Sequence, residues 1–208
     1  MNLLKSIVWV LGGLSIVTLA ADNQPSASQQ LRDLLEPIKS LSASFSQRIT
    51  DSEGYELQLS NGKFQVSQPN RIRWAVIEPM PQEIITDGLT LWVYDPDLEQ
   101  VIIQPFNQDL SATPASLFSG DLEDLDNSYR VRQLSEQHFE LLPRQSSSLF
   151  SLVQLHFSQS QPTAIILKDR LGQTTYISLS ETLLNPPIAA GLFRFEVPAG
   201  IDVIDHAY

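Results

Sequence analysis

From Leu41 onward apolar residues recur at every second position, and this period of two governs most of the chain. Such alternation puts apolar side chains on one face of an extended strand and polar ones on the other, an arrangement no helix can match. Strands are predicted at 43–50, 55–60, 62–67, 71–77, 83–86, 89–94 and 99–104. They resume at 128–134, 138–142, 149–158, 163–169, 173–180 and 192–197, and Asp, Gly, Pro and Asn signals separate them. The connections are short, so neighbours should pair antiparallel. So many strands in one domain require a large curved sheet, a barrel or a sandwich.

The stretch 87–101, DGLTLWVYDPDLEQV, has the strongest local signals. Asp87-Gly88 opens it with a tight turn, Asp95-Pro96-Asp97 closes it with another, and the return strand begins at Glu99. Leu89, Leu91 and Val93 fall on one face of its first arm, with Trp92 and Tyr94 on the other. Both faces are apolar, so the hairpin needs cover on both sides.

Two segments break the period. Leu31, Leu34, Leu35 and Ile38 stand at i, i+3, i+4 and i+7 behind a possible cap at Ser28, and Pro37 ends or kinks this short helix. A second short helix is predicted over 113–120, with Thr113 as cap, Pro114 in the first turn, Gly120 at its end, and Leu117 and Phe118 presented to a partner surface. The acidic run 121–126 (DLEDLD) reads as a solvated loop, since it lacks the glycine and terminal glutamate of a calcium loop.

Residues 1–21 have the form of a cleaved secretory signal: a positive Lys5, an apolar run, and small residues before Asp22. Residues 22–208 then form one domain, expected to be exported and soluble. With 13 basic and 24 acidic residues and a net charge of −11, the chain should be repelled by nucleic acid and by anionic lipid. The absence of Cys excludes disulfides and attachment of lipid through sulfur. Catalytic chemistry finds little support. There is no nucleophile motif and no phosphate-cradling loop, and His138, His156 and His206 have no spacing suited to a triad or a metal. Glu181, or Asp87 with Asp95, could serve as carboxylate catalysts, but turn and edge positions suit them better.

What stands out is apolar surplus. Phe64 and Val66 share a face, as do Ile72, Trp74 and Val76, while Arg71 and Arg73 face away. Each of these residues could simply be core. Two short helices, however, are little cover for so wide a sheet, which implies a partly filled apolar cavity with the helices as its lid.

These residues resemble the LolA family of periplasmic lipoprotein carriers. The shared pattern runs Phe45-x-Gln47-x3-Asp51-x2-Gly54, then Gly62, Phe64, Val66, Pro69-Asn70, Trp74 and Pro79. It continues through Asp87-Gly88-x2-Leu91-Trp92-x-Tyr94-Asp95-Pro96-x2-Glu99-Gln100 and Thr113-Pro114 to Phe193-x-Phe195-x2-Pro198-x-Gly200-x-Asp202. The resemblance implies an unclosed antiparallel β-barrel of about eleven strands with a short-helix lid over a hydrophobic cavity. It implies a carrier, not an enzyme, without cofactor or metal. Such a carrier is expected to be a periplasmic monomer that takes triacylated lipoproteins from an inner-membrane lipoprotein-releasing ABC transporter and delivers them to an outer-membrane receptor. The acyl-chain cavity would be lined by Phe64, Val66, Ile72, Trp74, Val76, Leu91 and Val93, and the lid by Leu31, Leu34, Leu35, Leu117 and Phe118. Where the family has an arginine that bonds the lid, this chain has Gln68, a weaker and uncharged donor, so lid closure is looser or Arg71 or Arg73 takes part. The alternative reading is a periplasmic lipid- or stress-sensing domain of the same fold.

Overall fold

A computed structural model describes residues 25–106, 117–118, 125–146 and 148–206. One sheet of twelve strands dominates: β1 (Ser40–Thr50), β2 (Glu56–Ser67), β3 (Arg71–Glu78), β4 (Gln82–Thr86), β5 (Thr90–Asp95) and β6 (Gln100–Pro105), then β7 (Tyr129–Ser135), β8 (His138–Pro143), β9 (Phe150–Ser158), β10 (Gln161–Asp169), β11 (Thr174–Leu184) and β12 (Asp202–Asp205). The helices are α1 (Ala27–Leu35) and the single-turn α2 (Leu125–Ser128). Among the described residues, no helix is long and apolar enough to cross a membrane.

Strand order is β12-β6-β5-β4-β3-β2-β1-β11-β10-β9-β8-β7. Short hairpins build each half, and β1 joins the halves by pairing antiparallel with β11, Phe45 lying opposite Leu179. β12 and β7 are the two edges and do not pair with each other, so the barrel is unclosed. Every pairing is antiparallel except that of β12 with β6, which is parallel.

Alternation puts Leu41, Ala43 and Phe45 of β1 on the concave face, with Phe64 and Val66 of β2 and Ile72 and Trp74 of β3, all buried. The other half contributes Phe139, Leu141, Val153, Leu155, Phe157, Ile165, Leu167 and Ile177 to the same core. The 87–101 hairpin forms as expected. Asp87 Oδ1 accepts from the backbone N–H groups of Leu89 and Thr90, Gly88 takes φ +100°, and Asp95 Oδ1 accepts from Leu98 N. Cover on its second face comes from the chain's own C-terminal segment. Phe195 lies 5.0 Å from the Tyr94 ring, Phe193 is buried, and Arg73 bonds the Leu192 carbonyl.

Several boundaries differ from the sequence reading. Residues 55–60 and 62–67 are one strand, because Asn61-Gly62 is a close approach rather than a turn. A Cβ on Gly62 would sit 2.1 Å from the Ala75 carbonyl oxygen and 2.5 Å from the Phe45 ring. Residues 192–197 are not a strand; a 3-10 turn at Ala190–Phe193 tucks Phe193 against the convex face, and the last strand follows at Asp202–Asp205. The cap of α1 is Ser26, whose hydroxyl accepts from Gln29 N at 3.1 Å. Leu89 belongs to the turn and is exposed, so it does not share a face with Leu91 and Val93. The acidic run ends inside α2, where Leu125 is buried in the core; residues 121–124 lie outside the described residues. The same holds for the signal and for residues 113–116 and 119–120 of the second predicted helix, of which only Leu117 and Phe118 are described, in a 3-10 turn.

Candidate functional site, the concave face and its lid

The concave face of β1, β2 and β3 is an aromatic floor. Phe45 stacks on Trp74 with ring centroids 3.9 Å apart, Trp74 stacks on Phe64 at 5.4 Å, and Phe64 reaches Phe118 at 6.3 Å. That last contact joins sheet to lid. Large flat rings suit this position, since they cover much area with few torsions to fix. Phe45 was not among the expected lining residues, although its alternation with Leu41 and Ala43 in β1 marks its face.

The expected cavity residues divide into two groups. Phe64, Val66, Ile72 and Trp74 are buried in one contiguous apolar cluster, and half-buried Val76 packs against it. Leu91 and Val93 share the concave face by register, Leu91 opposite Thr86 and Thr86 opposite Ile72, but lie outside that cluster. The polar Thr86 comes between: its side chain is buried and its hydroxyl accepts from Gly88 N at 3.0 Å.

Leu31, Leu35 and Phe118 are buried on the floor, and Leu34 and Leu117 pack against its margin. This is a closed lid. Gln68 bonds through its backbone, N to the Lys39 carbonyl and O from Arg71 Nη2. Arg71 lies over the Phe193 ring and Arg73 pairs with Glu83, both on the convex face. Among the described residues α1 is fastened by Arg32, whose Nη2 lies 2.7 Å from Asp126 Oδ2 in α2. A hydrogen bond from Ser28 and that guanidinium hold the Asp126 carboxyl below the usual carboxylate range. Arg144 Nε braces α2 from beneath by donating to the Asp126 and Tyr129 carbonyls.

The other titratable candidates form no cluster with this face. Glu181 accepts from the Ser44 hydroxyl, Asp87 and Asp95 cap turns, and His206 bonds Ile103 through its backbone. His138 and His156 stack on the outer face at 3.8 Å, and burial, then the neighbouring His138, lowers the pKa of His156.

Comparison with known proteins places this fold in a family. Residues 36–196 match the family model described as outer membrane lipoprotein carrier protein LolA. The chain belongs to the LolA family. Its relatives include an outer-membrane lipoprotein carrier protein of Hahella chejuensis, 37% identical over 93% of this chain and 97% of that protein. Another, from Coxiella burnetii, is 35% identical over 98% of this chain and 99% of its own length. Among solved structures, an uncharacterized conserved protein of Thermus thermophilus shares the fold with a TM-score of 0.54 at 16% identity, over 87% of this chain and all of that one.

Proposed function

We propose that this protein is a periplasmic carrier of lipoproteins. It binds the acyl chains of triacylated lipoproteins released by an inner-membrane ABC transporter, shields them from water, and surrenders them to an outer-membrane receptor. The observation that carries this reading is an aromatic and aliphatic floor covered, among the described residues, by one short helix and a 3-10 turn.

Magnitudes fit the role. Burying an acyl chain of about sixteen carbons gains on the order of 12 kcal/mol at roughly 0.8 kcal/mol per CH2. Opening the lid uncovers Leu31, Leu35 and Phe118, at roughly 1.5–3 kcal/mol each. In water, chain burial exceeds that cost and the lid opens around its cargo. Against a bilayer, which is as apolar as the floor, the lid cost is not recovered. Loading from a membrane therefore needs energy from the donor, and release to a site without such a lid runs downhill. Phe64, Val66, Ile72, Trp74 and Phe45 would hold the chains, with Leu91 and Val93 extending the track beyond Thr86. No covalent step is required.

The test is recovery of the tagged protein from periplasm with its cargo. Intact triacylated lipoprotein in the eluate, identified by mass spectrometry and transferred to outer-membrane vesicles on mixing, is the expected result. An eluate free of lipoprotein, from cells that export the protein normally, would overturn the proposal.

A further inference from the structure

β2 is longer than its neighbour on one side. Residues Asn61 to Ser67 pair with β3, whereas Glu56, Gln58, Leu59 and Ser60 pair with β1 alone and Leu57 falls at a bulge between them. Among the described residues nothing lies along their other edge, so a run of backbone N–H and C=O groups is left open there. Sheet edges are ordinarily blunted by lysine, proline or a short length. This one has neither lysine nor proline, and its one irregularity among the described residues is the bulge at Leu57. Tyr55, Leu57 and Leu59 are 68, 54 and 51% exposed along this edge, Leu59 on the convex face opposite Arg48, and Ile77 and Met80 are exposed where β3 ends.

Two further observations indicate the occupant. No Lys or Arg occurs between Arg48 and Lys63, while Asp51, Glu53 and Glu56 do; Arg48 is engaged over the Tyr176 ring, and Glu78 stands where β3 leaves β2. The edge is therefore acidic. Beside it, a groove of about 530 Å³ lined in part by Ser44, Ser46, Asn61, Ile77 and Glu78 opens two residues beyond Leu59 on the same face. A strand added along 56–60 would lay apolar side chains beside Leu57 and Leu59 and basic ones within reach of Glu56, and its end would lead into the groove.

We infer that the open edge of β2 is a strand-addition site for an extended segment of a partner protein, about five residues long, that alternates apolar and basic side chains. A second copy of this chain fits poorly, because its edge brings the same Glu53, Glu56 and Glu78 and the same net charge of −11. The site is on the face opposite the lid, so a loaded carrier could use it without opening.

The probe is a fluorescein-labelled ten-residue peptide of alternating valine and lysine, titrated into the purified protein. Saturable binding is expected, with slowed amide hydrogen exchange at 56–60. A valine–glutamate peptide should bind about tenfold more weakly or worse, as should the Leu57→Lys/Leu59→Lys variant toward the original peptide. Leu98→Lys, in the exposed β5–β6 turn, should bind like the unaltered protein. Absence of binding, exchange at 56–60 unchanged by the peptide, or equal binding by the double variant would each overturn the inference. Dimerisation that itself protects 56–60 would overturn it in favour of a second copy.

Discussion

Arg32 of α1 and Asp126 of α2 meet at 2.7 Å, and this ion pair ties the lid helix to a turn held from below by Arg144. Its position makes it a latch rather than a pillar. Both side chains are partly or well exposed, and such pairs contribute about 0–1 kcal/mol. Arg32→Ala should leave the thermal midpoint nearly unchanged yet raise the rate of uptake of an apolar fluorescent dye severalfold, read by stopped-flow fluorescence. Unchanged uptake would remove the latch from the opening step. The depressed pKa of Asp126 gives the sign for acid: its contribution is full above the ordinary value of 3.8 and is lost as pH falls through the lower folded value. Dye uptake should accelerate only below about pH 4.

Gly62 is where β2 passes beneath the Phe45 ring, and any Cβ there meets the Ala75 carbonyl. A backbone oxygen cannot step aside cheaply, so Gly62→Ala must shift β2 against β3 and break the Phe45–Trp74 stack. The expected loss is about 3 kcal/mol, read from urea denaturation with an unchanged slope. A loss below about 0.5 kcal/mol would mean that the aromatic floor is softer than its close stacking indicates.

How much of this was legible beforehand depends on range. The floor was readable, because Phe64, Val66, Ile72 and Trp74 alternate within single strands and β1, β2 and β3 follow one another as hairpins. The α1 stripe was readable from its helical spacing. The lid fastening was not: Arg32 and Asp126 are far apart in sequence, and only packing of α1 against β7 and α2 brings them together. Gly62 was misread for a related reason. A glycine beside an asparagine carries the same local signal whether the chain turns or another ring comes close. The parallel β12 was missed because Phe193 and Phe195 alternate like a strand, although their rings cover the convex face instead.

The test of the acyl track needs care with burial. Ile72 has no exposed surface, so Ile72→Glu would leave an unpaired carboxylate in the core, and global unfolding is expected before any effect on loading can be read. Val93→Glu is the cleaner variant, since Val93 lies on the same concave face but half-buried and outside the contiguous cluster. It should keep a cooperative denaturation transition while recovery of bound lipoprotein falls about tenfold or more. Normal loading by a folded Val93→Glu protein would confine the track to β1, β2 and β3.

His138 and His156 face each other across β8 and β9 with stacked rings, and both Nε2 atoms are buried without a hydrogen-bond partner. Burial and the neighbouring imidazole lower the pKa of His156 beneath its ordinary value of 6.5. Because the folded state resists the proton more than the unfolded one, the stabilisation is present above pH 6.5 and is lost as pH falls from there through the lower folded value. Glu140 of β8, on the same face as His138, is already engaged by Arg132 of β7. Urea midpoints should therefore drop between pH 7.5 and 5 in the unaltered protein, and drop less in His156→Gln, which keeps polarity without titrating. Equal drops in both proteins would place the acid sensitivity elsewhere in the fold.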